Sequence, residues 1–583
     1  MKTQLQKSQL SKQKISLVQQ FKIALAYLFF LATITSNAQG SLFTNYFAFG
    51  NSGGNYASSI AVDSNGNSFI CGKYNGVIDF DPSANVLELS SVNQKTYIAK
   101  YNSLGVFQWV KSFDDSPFPS ELIVDSQGNL IMTGSFQNTV DFDPSSSIFN
   151  LTTVAADIYV LKLNNNGEFI WVKQMGGTSG DTGKAITTDA SNNIYITGSF
   201  RNTADFDPGI GVFTIDGDSS SNIYICKITA DGNFVFAKAI SRTPALGASV
   251  SCSDIKVDTS GNIFVVGGFS GTVDFDPSSG IANATSFDIK TDAFILKLNG
   301  SGNYLWSKTF SSNQRDGIND IVINSNGELF CALECDYAAT IDLNPGAGIF
   351  NVTGVEVFAS IVKLDGNGDF LFGKKIEATD AAYCASLALD SNQNLLVTGR
   401  FSGIINFGTL ANPVILNEPV NLDNLYFLHL SSVGDFLSLK NIKGSGDMYE
   451  GKVVIDATDA FHFATAFNLN LTIGLIGGVA TTQTFSDTGS ILMIKDQLTT
   501  LSNPNFKQTA TINVYPNPTN NILNIAISEN ATLQIIDLLG KTVLEKSITS
   551  GNNTITIEAL PTGMYISKIQ NENGTYNQKI MKL

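Results

Sequence analysis

Residues 189–238 contain the clearest copy of a unit that recurs along most of this 583-residue chain. Residues 189–209 read DASNNIYITGSFRNTADFDPG, and residues 222–238 read NIYICKITADGNFVFAK. The pieces recur in fixed order about every 66 residues. They are an Asp-x-x-Gly-Asn turn, an aromatic strand ending in Gly-x-Phe, the tetrapeptide Asp-Phe-Asp-Pro, a Tyr-Ile-x-Lys-Leu strand and a Phe-x-Trp-x-Lys strand. A period of this kind is typical of an array of repeated supersecondary units.

The turn occurs seven times, and its copies begin at Asp63, Asp125, Asp189, Asp258, Asn324, Asp390 and Asp456. The Lys-Leu strand also occurs seven times, but the Phe-x-Trp-x-Lys strand follows only six of them. A similar strand, Phe43–Phe49, stands alone before the first turn. We expect this strand to complete the last unit and close a ring, because closure removes the open sheet edges. The sequence therefore predicts an all-β fold with a seven-bladed β-propeller over residues 39–498.

Within each copy, apolar and polar residues alternate as they do in half-buried strands, for example in Ile194–Thr197. The Asp-x-x-Gly-Asn segment is a hairpin turn, since Asp and Asn bond their own backbone and Gly accepts a positive φ. These patterns predict four or five strands per copy and almost no helix. The copies exceed the ~40–45 residues of an ordinary blade. The excess lies around Asp-Phe-Asp-Pro and predicts an added hairpin or long loop.

The repeats resemble the family called beta-propeller repeat, which is found in bacterial secreted proteins. The shared pattern is Asp-x-x-Gly-Asn, Gly-x-Phe, Lys-Leu-x-x-x-Gly and then Trp, and it covers most of residues 41–500. The match is good in copies 1 to 5 and weaker in copies 6 and 7. The resemblance implies a seven-bladed propeller and no particular chemistry, because a fold does not determine a function.

The N-terminal 38 residues have the features of a secretory signal peptide. Five lysines precede the apolar run Ile23–Ile34, and Ser36-Asn37-Ala38 supplies small residues for cleavage after Ala38. The alternative is an N-terminal membrane anchor, but twelve apolar residues fall short of the ~20 that a spanning helix needs. No other stretch is long and apolar enough to span a bilayer.

The composition changes near the C-terminus. Residues 499–512 are polar and are predicted to form a linker, and residues 513–583 are predicted to form a small β-sandwich of about seven strands. The motifs Tyr515-Pro-Asn-Pro518, Asp537-x-x-Gly-Lys541 and Leu560-Pro-x-Gly-x-Tyr565 precede a basic last strand.

In order and spacing these motifs closely resemble the type A C-terminal sorting domain of the type IX secretion system. The resemblance implies that the outer-membrane secretion machinery is a partner. It also implies a location outside the cell or on its outer surface, reached through the periplasm, and removal of the domain on release or on attachment to lipopolysaccharide. The alternative is an ordinary β-sandwich tail with no targeting role.

Charge and cysteine usage exclude several classes. The formal net charge is −16, and an acidic surface repels phosphate backbones, so nucleic acid is not an expected partner. The six cysteines follow no metal-binding spacing, and we interpret them as free, buried, apolar side chains. They are Cys71, Cys226, Cys252, Cys331, Cys335 and Cys384.

The Asp-Phe-Asp-Pro elements are the best candidates for chemistry. On a strand the two acids point to one side and Phe points to the other, towards the core. Carboxylate oxygens suit Ca²⁺, which takes six to eight of them. The structural alternative, which we favour, is that Asp before Pro caps a turn. The candidate calcium ligands are Asp79, Asp81, Asp141, Asp143, Asp205, Asp207, Asp274 and Asp276, and no other cofactor is expected.

The remaining motifs have structural explanations. His429 replaces the Lys of the Lys-Leu strand and is expected to be a solvated strand residue, and His462 lies in a strand between two Phe residues. Gly50-Asn-Ser-Gly-Gly54 matches the nucleophile-elbow string but lacks the following helix. The paired acids lie on one strand face in every copy, unlike the opposed acids of a glycosidase. Trp at the last strand is replaced by Phe in other copies, which indicates packing.

These observations predict no enzymatic activity. The leading hypothesis is a secreted or cell-surface binding or adhesion module for protein or glycan. The first alternative is an extracellular glycan lyase or hydrolase with its site in the propeller channel. Acids and aromatics gathered there from different blades would favour that alternative, whereas uniformly small or apolar residues would favour binding. The second alternative is a structural surface-coat protein.

Overall fold

The computed structural model describes residues 45–583 except for 51–53, 84, 114–116, 243–247, 408–413, 445–447, 450, 469–470, 475–480, 484–487, 499–512, 516–518, 528–529, 538–540 and 572–573. The predicted signal peptide and linker lie outside this part of the chain. The chain forms two compact units, one ending at Leu498 and one beginning at Thr499. The protein is all-β. Among the described residues there is no α-helix and there is a single 3-10 turn, at Phe287–Ile289.

The described residues of the first unit form seven antiparallel blades, here called blades 1 to 7, which follow one another along the chain. Each blade is built on four strands, and the added hairpins extend three of the sheets to six or seven strands. Before them comes β1 (Asn45–Gly50). Blade 1 is β2 (Tyr56–Val62), β3 (Ser68–Asp79), β4 (Glu88–Tyr101) and β5 (Phe107–Phe113). Blade 2 is β6 (Phe118–Val124), β7 (Leu130–Phe136), the hairpin β8 (Thr139–Asp141) and β9 (Asn150–Thr152), β10 (Asp157–Leu163) and β11 (Phe169–Gly177).

The same order recurs in the next two blades. Blade 3 is β12 (Thr182–Thr188), β13 (Ile194–Phe200), the hairpin β14 (Thr203–Asp205) and β15 (Thr214–Asp216), β16 (Asn222–Ile228) and β17 (Phe234–Arg242). Blade 4 is β18 (Ser249–Val257), β19 (Ile263–Ser270), the hairpin β20 (Thr272–Asp274) and β21 (Asn283–Thr285), β22 (Asp292–Leu298) and β23 (Tyr304–Phe310).

The last three blades keep this order. Blade 5 is β24 (Asp316–Ile323), β25 (Leu329–Cys335), the hairpin β26 (Thr340–Asp342) and β27 (Asn351–Thr353), β28 (Phe358–Leu364) and β29 (Phe370–Ile376). Blade 6 is β30 (Ala381–Ala382), β31 (Ser386–Leu389), β32 (Leu395–Ser402), the hairpin β33 (Ile404–Asn406) and β34 (Ile415–Asn417), β35 (Asn424–Leu430) and β36 (Phe436–Gly444). Blade 7 has β37 (Lys452–Ile455), β38 (Ala460–Asn468), the hairpin β39 (Leu471–Gly474) and β40 (Thr481–Gln483), and β41 (Thr488–Gln497).

The repeated Asp turn joins the first two strands of each blade. In blade 1, Asp63 Oδ1 accepts hydrogen bonds from the backbone N–H groups of Asn65 and Asn67, each at 2.9 Å. The side-chain amide of Asn67 donates to Asp63 Oδ2 at 2.8 Å. Gly66 has a φ of +73°, which Gly adopts at little cost. The motif is therefore recurrent because one Asp side chain satisfies the polar groups of the whole turn.

The ring closes through the isolated N-terminal strand, as the sequence predicts. β1 pairs antiparallel with β41, from Asn45 opposite Lys495 to Gly50 opposite Ser490. It supplies the fourth, outermost strand of blade 7. The innermost strands of successive blades contact one another in order, and β37 contacts β2 to complete the circuit. Closure thus joins the two ends of the unit by backbone hydrogen bonds.

The Asp-Phe-Asp-Pro segment begins the loop of an added hairpin. The Phe of this element is fully buried at Phe80, Phe142, Phe206 and Phe275, as expected for an inward-pointing residue. The blade 3 hairpin also pairs with the outer strand of blade 2, with Gly176 opposite Asp205. Blades in a ring diverge with distance from the axis. The added hairpin and its buried Phe side chain fill the gap that opens between neighbouring blades.

In the second unit the described residues form seven strands in two sheets. One sheet has the order β42 (Asn513–Tyr515), β43 (Ile522–Ile527), β46 (Gly551–Thr556). The other has the order β45 (Thr542–Ile548), β44 (Ala531–Ile536), β47 (Gly563–Asn571), β48 (Gly574–Lys582). Its core is aliphatic and includes Leu523, Leu533 and Ile569. The Tyr565 hydroxyl donates to Pro561 O at 2.8 Å, which explains the Leu-Pro-x-Gly-x-Tyr spacing.

Candidate functional site

The central channel is the first candidate site. A cavity of about 240 Å³ lies between the innermost strands of all seven blades. Its charged lining comes from four different blades and comprises Glu121, Lys256, Asp320 and Lys452. The other lining residues are small, aliphatic or hydroxylated, and none of the described ones is aromatic. The channel therefore combines acids with bases and matches neither pattern expected from the sequence.

The channel acids link adjacent blades. Ile186 N–H of blade 3 donates to Glu121 Oε2 of blade 2 at 2.7 Å. Leu387 N–H of blade 6 donates in the same way to Asp320 Oδ2 of blade 5 at 2.8 Å. These acids occupy the first position after an irregularity in the innermost strand. Each carboxylate thus bonds to the backbone of the neighbouring innermost strand.

Two carboxyls of this cluster have opposite pKa shifts. Burial raises the pKa of Asp320 well above its usual range, against the opposing attraction of Lys452. Burial also acts to raise the pKa of Asp254, but Lys256 and Lys452 outweigh it and hold that pKa well below its usual range. Lys256 Nζ lies 2.6 Å and 2.7 Å from the two oxygens of Asp254. A proton taken up by this pair of carboxyls is therefore held on Asp320 rather than on Asp254.

The predicted calcium ligands lie in the hairpin loops. Asp205 Oδ1 accepts from the backbone N–H groups of Asp207, at 3.0 Å, and Phe213, at 2.8 Å. Asp207 Oδ1 accepts from Gly209 N–H at 2.8 Å. In the other hairpins the first acid accepts the same two backbone hydrogen bonds, at Asp79, Asp141 and Asp274. The second acid likewise accepts a hydrogen bond from the backbone N–H two residues later, at Asp81, Asp143 and Asp276.

These hydrogen bonds are those of a turn cap, since each Asp satisfies loop amides eight or fewer residues away. The structure places each Asp pair in its own hairpin, and among the described residues no group of three or more His, Cys, Asp or Glu side chains could hold a metal ion. Calcium binding by the hairpins remains a prediction.

The hairpin tips expose a repeated aliphatic residue. It lies seven positions after the first Asp of each Asp-Phe-Asp-Pro-like element, and its exposed fraction ranges from 69 % to 79 %. The five residues are Val86, Ile148, Val212, Ile281 and Ile349. In three hairpins the next residue is a partly exposed Phe that contacts another ring, for example Phe213 against Phe234 with ring centroids 4.8 Å apart. One side chain thus anchors the hairpin and its neighbour faces solvent.

On the opposite face, the Lys of the Lys-Leu strand connects blades. Lys162 Nζ lies 2.9 Å from Asp125 Oδ2, in the turn of its own blade. It also donates to Ala230 O of the next blade at 3.3 Å. Lys363 has the same pair of contacts, with Glu328 at 2.7 Å and Ser432 O at 2.9 Å. The repeated Lys therefore has a structural role that its position in the repeat did not reveal.

The expectation that His429 is solvated is wrong. His429 is 1 % exposed, and its Nε2 lies 3.1 Å from Asp390 Oδ2, in the place of the Lys-to-turn ion pair. Burial lowers the pKa of His429 despite the opposing effect of Asp390. His462 is also buried, with Nε2 2.9 Å from Asp456 Oδ2 and Nδ1 2.7 Å from Ser68 Oγ. Both imidazoles are parts of the blade core.

All six cysteines are free and buried, as the sequence indicates. Burial raises the pKa of the Cys71 thiol to about 12, so the reactive thiolate is suppressed. The Gly50–Gly54 string lies mostly outside the described residues. Trp109 packs 6.1 Å from Phe69, centroid to centroid, in agreement with a packing role. The described cysteines and Trp109 thus have packing roles.

Comparison with protein families assigns the two parts of the chain. Residues 513–583 match the family described as the secretion system C-terminal sorting domain. The C-terminal unit is a sorting domain. Residues 170–199 match the family described as beta-propeller repeat. The protein is thus a β-propeller that the sorting domain directs through type IX secretion to the cell surface or beyond it.

Two longer proteins are similar in sequence to parts of this chain. An uncharacterized WD repeat-containing protein of Acanthamoeba polyphaga mimivirus is 22 % identical over 72 % of this chain and 36 % of its own length. Regulatory protein FlaEY of Caulobacter vibrioides is 21 % identical over 52 % of this chain and 29 % of its own. The chain thus spans about a third of the length of these relatives.

Among solved structures, the WD40 repeats of RRP9 are 11 % identical, with a TM-score of 0.37, over 78 % of this chain and 98 % of that one. A protein of unknown function from Bacteroides caccae is 13 % identical, with a TM-score of 0.23, over 48 % of this chain and 89 % of that one. A search of the described residues finds no helix with the length and apolarity needed to cross a membrane.

Sequence reasoning missed the channel cluster. Glu121, Asp254, Asp320 and Lys452 occupy one position of the repeat, four residues before the Asp turn of each blade. Aligning the copies on their Asp turns would have placed these residues in one column. Charged residues at the same buried strand position in several copies are a signal that such an alignment can detect. The pairing between residues of different blades is not detectable in this way.

Proposed function

We propose that the sorting domain delivers a non-enzymatic binding module and that the hairpins of the propeller form its contact surface. The observation that carries this proposal is the exposed Val or Ile at the same position of five successive hairpins. An isolated exposed aliphatic residue is ordinary, but repetition at one position presents the same contact around the rim. Aliphatic contacts favour a protein partner over a glycan, since sugars stack on aromatic rings.

The structural use of the channel charges supports the same proposal. The carboxylates of Glu121 and Asp320 already accept backbone hydrogen bonds from the next blade. Lys452 Nζ lies 3.7 Å from Glu121 Oε1 and 3.8 Å from Asp320 Oδ1. These groups hold innermost strands together, and that role alone accounts for their presence in the channel.

The test is binding of the full chain to an array of bacterial surface proteins and glycans, with and without Ca²⁺. We expect binding to proteins, and we expect it to weaken at least tenfold when Val86, Ile148, Val212, Ile281 and Ile349 are all changed to Ser. The matched control changes Leu104 and Val433, which are exposed at the opposite face, to Ser. Equal binding by the five-fold variant and the wild type would contradict the proposal.

A glycan lyase or hydrolase acting in the channel is the second candidate, and the acids that meet there from different blades are the observation that favours it. Asp320, whose pKa is raised by burial, is suited to a general acid, because such a group must hold a proton at the pH of the reaction. This candidate predicts polysaccharide cleavage by the wild type and its loss in Asp320→Asn. Cleavage with those properties would replace the binding proposal.

A further inference from the structure

At two blade interfaces, a buried aspartate of one blade faces a buried aspartate of the next blade. Both pairs lie away from the channel and outside the hairpin loops. Asp157 begins the third strand of blade 2, and Asp181 directly precedes the first strand of blade 3. Asp292 and Asp316 occupy the same two positions in blades 4 and 5. Asp181 N–H donates to Ala156 O at 2.7 Å, and Asp316 N–H donates to Thr291 O at 2.7 Å, so the backbone geometry of the two pairs is the same.

One carboxylate oxygen of each pair is buried without a hydrogen-bond donor. Asp157 is 5 % exposed and Asp292 is 0 % exposed. In the described structure Oδ1 of each has no hydrogen-bond partner. A buried carboxylate oxygen with no partner is costly. No Lys, Arg or His of the described residues forms an ion pair with any of the four acids.

Gly176 shows where the oxygens of the first pair point. A Cβ added to Gly176 would lie 2.5 Å from Asp157 Oδ1 and 3.1 Å from Asp181 Oδ2. The two oxygens therefore flank one small space next to the Gly176 backbone. Asp181 is held in place by backbone donors, from Gly177 N–H at 2.8 Å and Arg201 N–H at 3.1 Å. Asp316 is held by Ser312, whose N–H donates to Oδ2 at 2.7 Å and whose hydroxyl donates to Oδ1 at 2.9 Å.

The other interfaces of this ring provide an internal comparison. Between blades 5 and 6 the two positions are Phe358 and Ala382, and the same backbone bond joins Ala382 N–H to Val357 O at 2.9 Å. Between blades 3 and 4 they are Asn222 and Val250. The interface thus forms without acids, and the acids occur only as facing pairs. A facing pair needs a positive charge or a shared proton, because two buried carboxylates repel each other.

We propose that each pair binds one hard divalent cation, with Ca²⁺ as the ion expected outside the cell. Two carboxylates and one divalent cation are jointly neutral, which removes the cost of burying either charge alone. Oxygen-only ligands suit Ca²⁺. Exposed residues of the loop Thr178–Gly180 lie directly before Asp181, so an ion has a short path to the first pair.

The test measures Ca²⁺ binding to the full chain by equilibrium dialysis after chelator treatment. We expect two ions per chain, with dissociation constants of about 10⁻⁴–10⁻³ M, as in extracellular modules. The double variant Asp157→Asn/Asp181→Asn should bind one ion, and so should Asp292→Asn/Asp316→Asn. Each double variant retains the other pair, so its remaining site reports that the propeller has folded.

The matched control is Asp205→Asn/Asp207→Asn, which alters a hairpin carboxylate pair and should still bind two ions. Binding that is lost in this control and kept in the acid-pair variants would overturn the proposal and support the hairpins as ligands. No binding at about 10 mM Ca²⁺, far above the expected range, would also overturn it. A melting temperature that rises on acidification but not with Ca²⁺ would assign a shared proton instead.

Discussion

Removing the buried ring of one hairpin tests how the blades are held together. Phe206 is 0 % exposed and contacts Phe200 and Tyr224, with ring centroids 5.3 Å and 4.8 Å away. Phe-to-Ala changes at buried sites cost about 3–5 kcal/mol, and both ring contacts disappear with the side chain. We therefore expect Phe206→Ala to destabilise the propeller by about 4 kcal/mol.

The corresponding change in melting temperature is small because the propeller is large. An unfolding entropy of about 2.1 cal/mol/K per residue over roughly 450 residues gives roughly 0.95 kcal/mol/K. A loss of about 4 kcal/mol then lowers the melting temperature by about 4 °C. Differential scanning calorimetry of the full chain measures this shift, and the sorting-domain transition serves as an internal reference.

Phe213 of the same hairpin is the matched control. It is 41 % exposed and has one ring contact, with Phe234. Phe213→Ala should cost about 1–2 kcal/mol and lower the melting temperature by about 1–2 °C. Equal shifts for the two variants would refute the reasoning, because they would show that the buried ring does not fill the gap between blades.

Four further predictions concern titration, capping and closure. Burial raises the pKa of Asp316 to about 7 from 3.8, so with a chelator present the folded state retains a proton that the unfolded chain loses. The free energy of unfolding should therefore fall as the pH rises from about 4 to about 7. The variant Asp316→Asn should flatten that pH profile. The pKa of His429 is lowered by burial, so stability should fall as pH drops below about 6.5, and NMR titration should find a neutral ring at pH 7. Asp205→Ala removes the acceptor of two loop amides and should cost about 1–2 kcal/mol in chemical unfolding. Deleting β1 should expose the edge of β41 and cause association, measured by light scattering.

Controls or contradicting outcomes sharpen three of these predictions. His429→Gln should remove the acid-side loss of stability, and an imidazole that titrates above 6.5 would contradict the predicted neutral ring. Asp216→Ala changes an exposed hairpin Asp whose carboxylate accepts a hydrogen bond from Thr203 Oγ1, and it should cost less than about 0.5 kcal/mol. A monomeric, fully stable chain lacking β1 would show that blade 7 does not need its fourth strand.

Much of the fold is readable from the sequence because the signals are local. The Asp turn, the alternating strands and the added hairpin each depend on residues within about ten positions of one another. Even ring closure is readable, since the strand missing from the last copy appears before the first. The sorting domain is readable from motifs such as Leu560–Tyr565, where a tyrosine hydroxyl caps a carbonyl four residues away.

The sequence by itself thus determined the blades, the hairpins and the export route, while only the tertiary structure decided which polar residues meet. His429 occupies a position that reads as a solvated Lys site, yet the blade buries it against Asp390. Glu121 and Ile186 are 65 residues apart and bonded, and Asp157 and Asp181 meet across a blade boundary. Such contacts depend on the angle and spacing between neighbouring sheets, and that packing is a property of the whole ring, which no single repeat encodes.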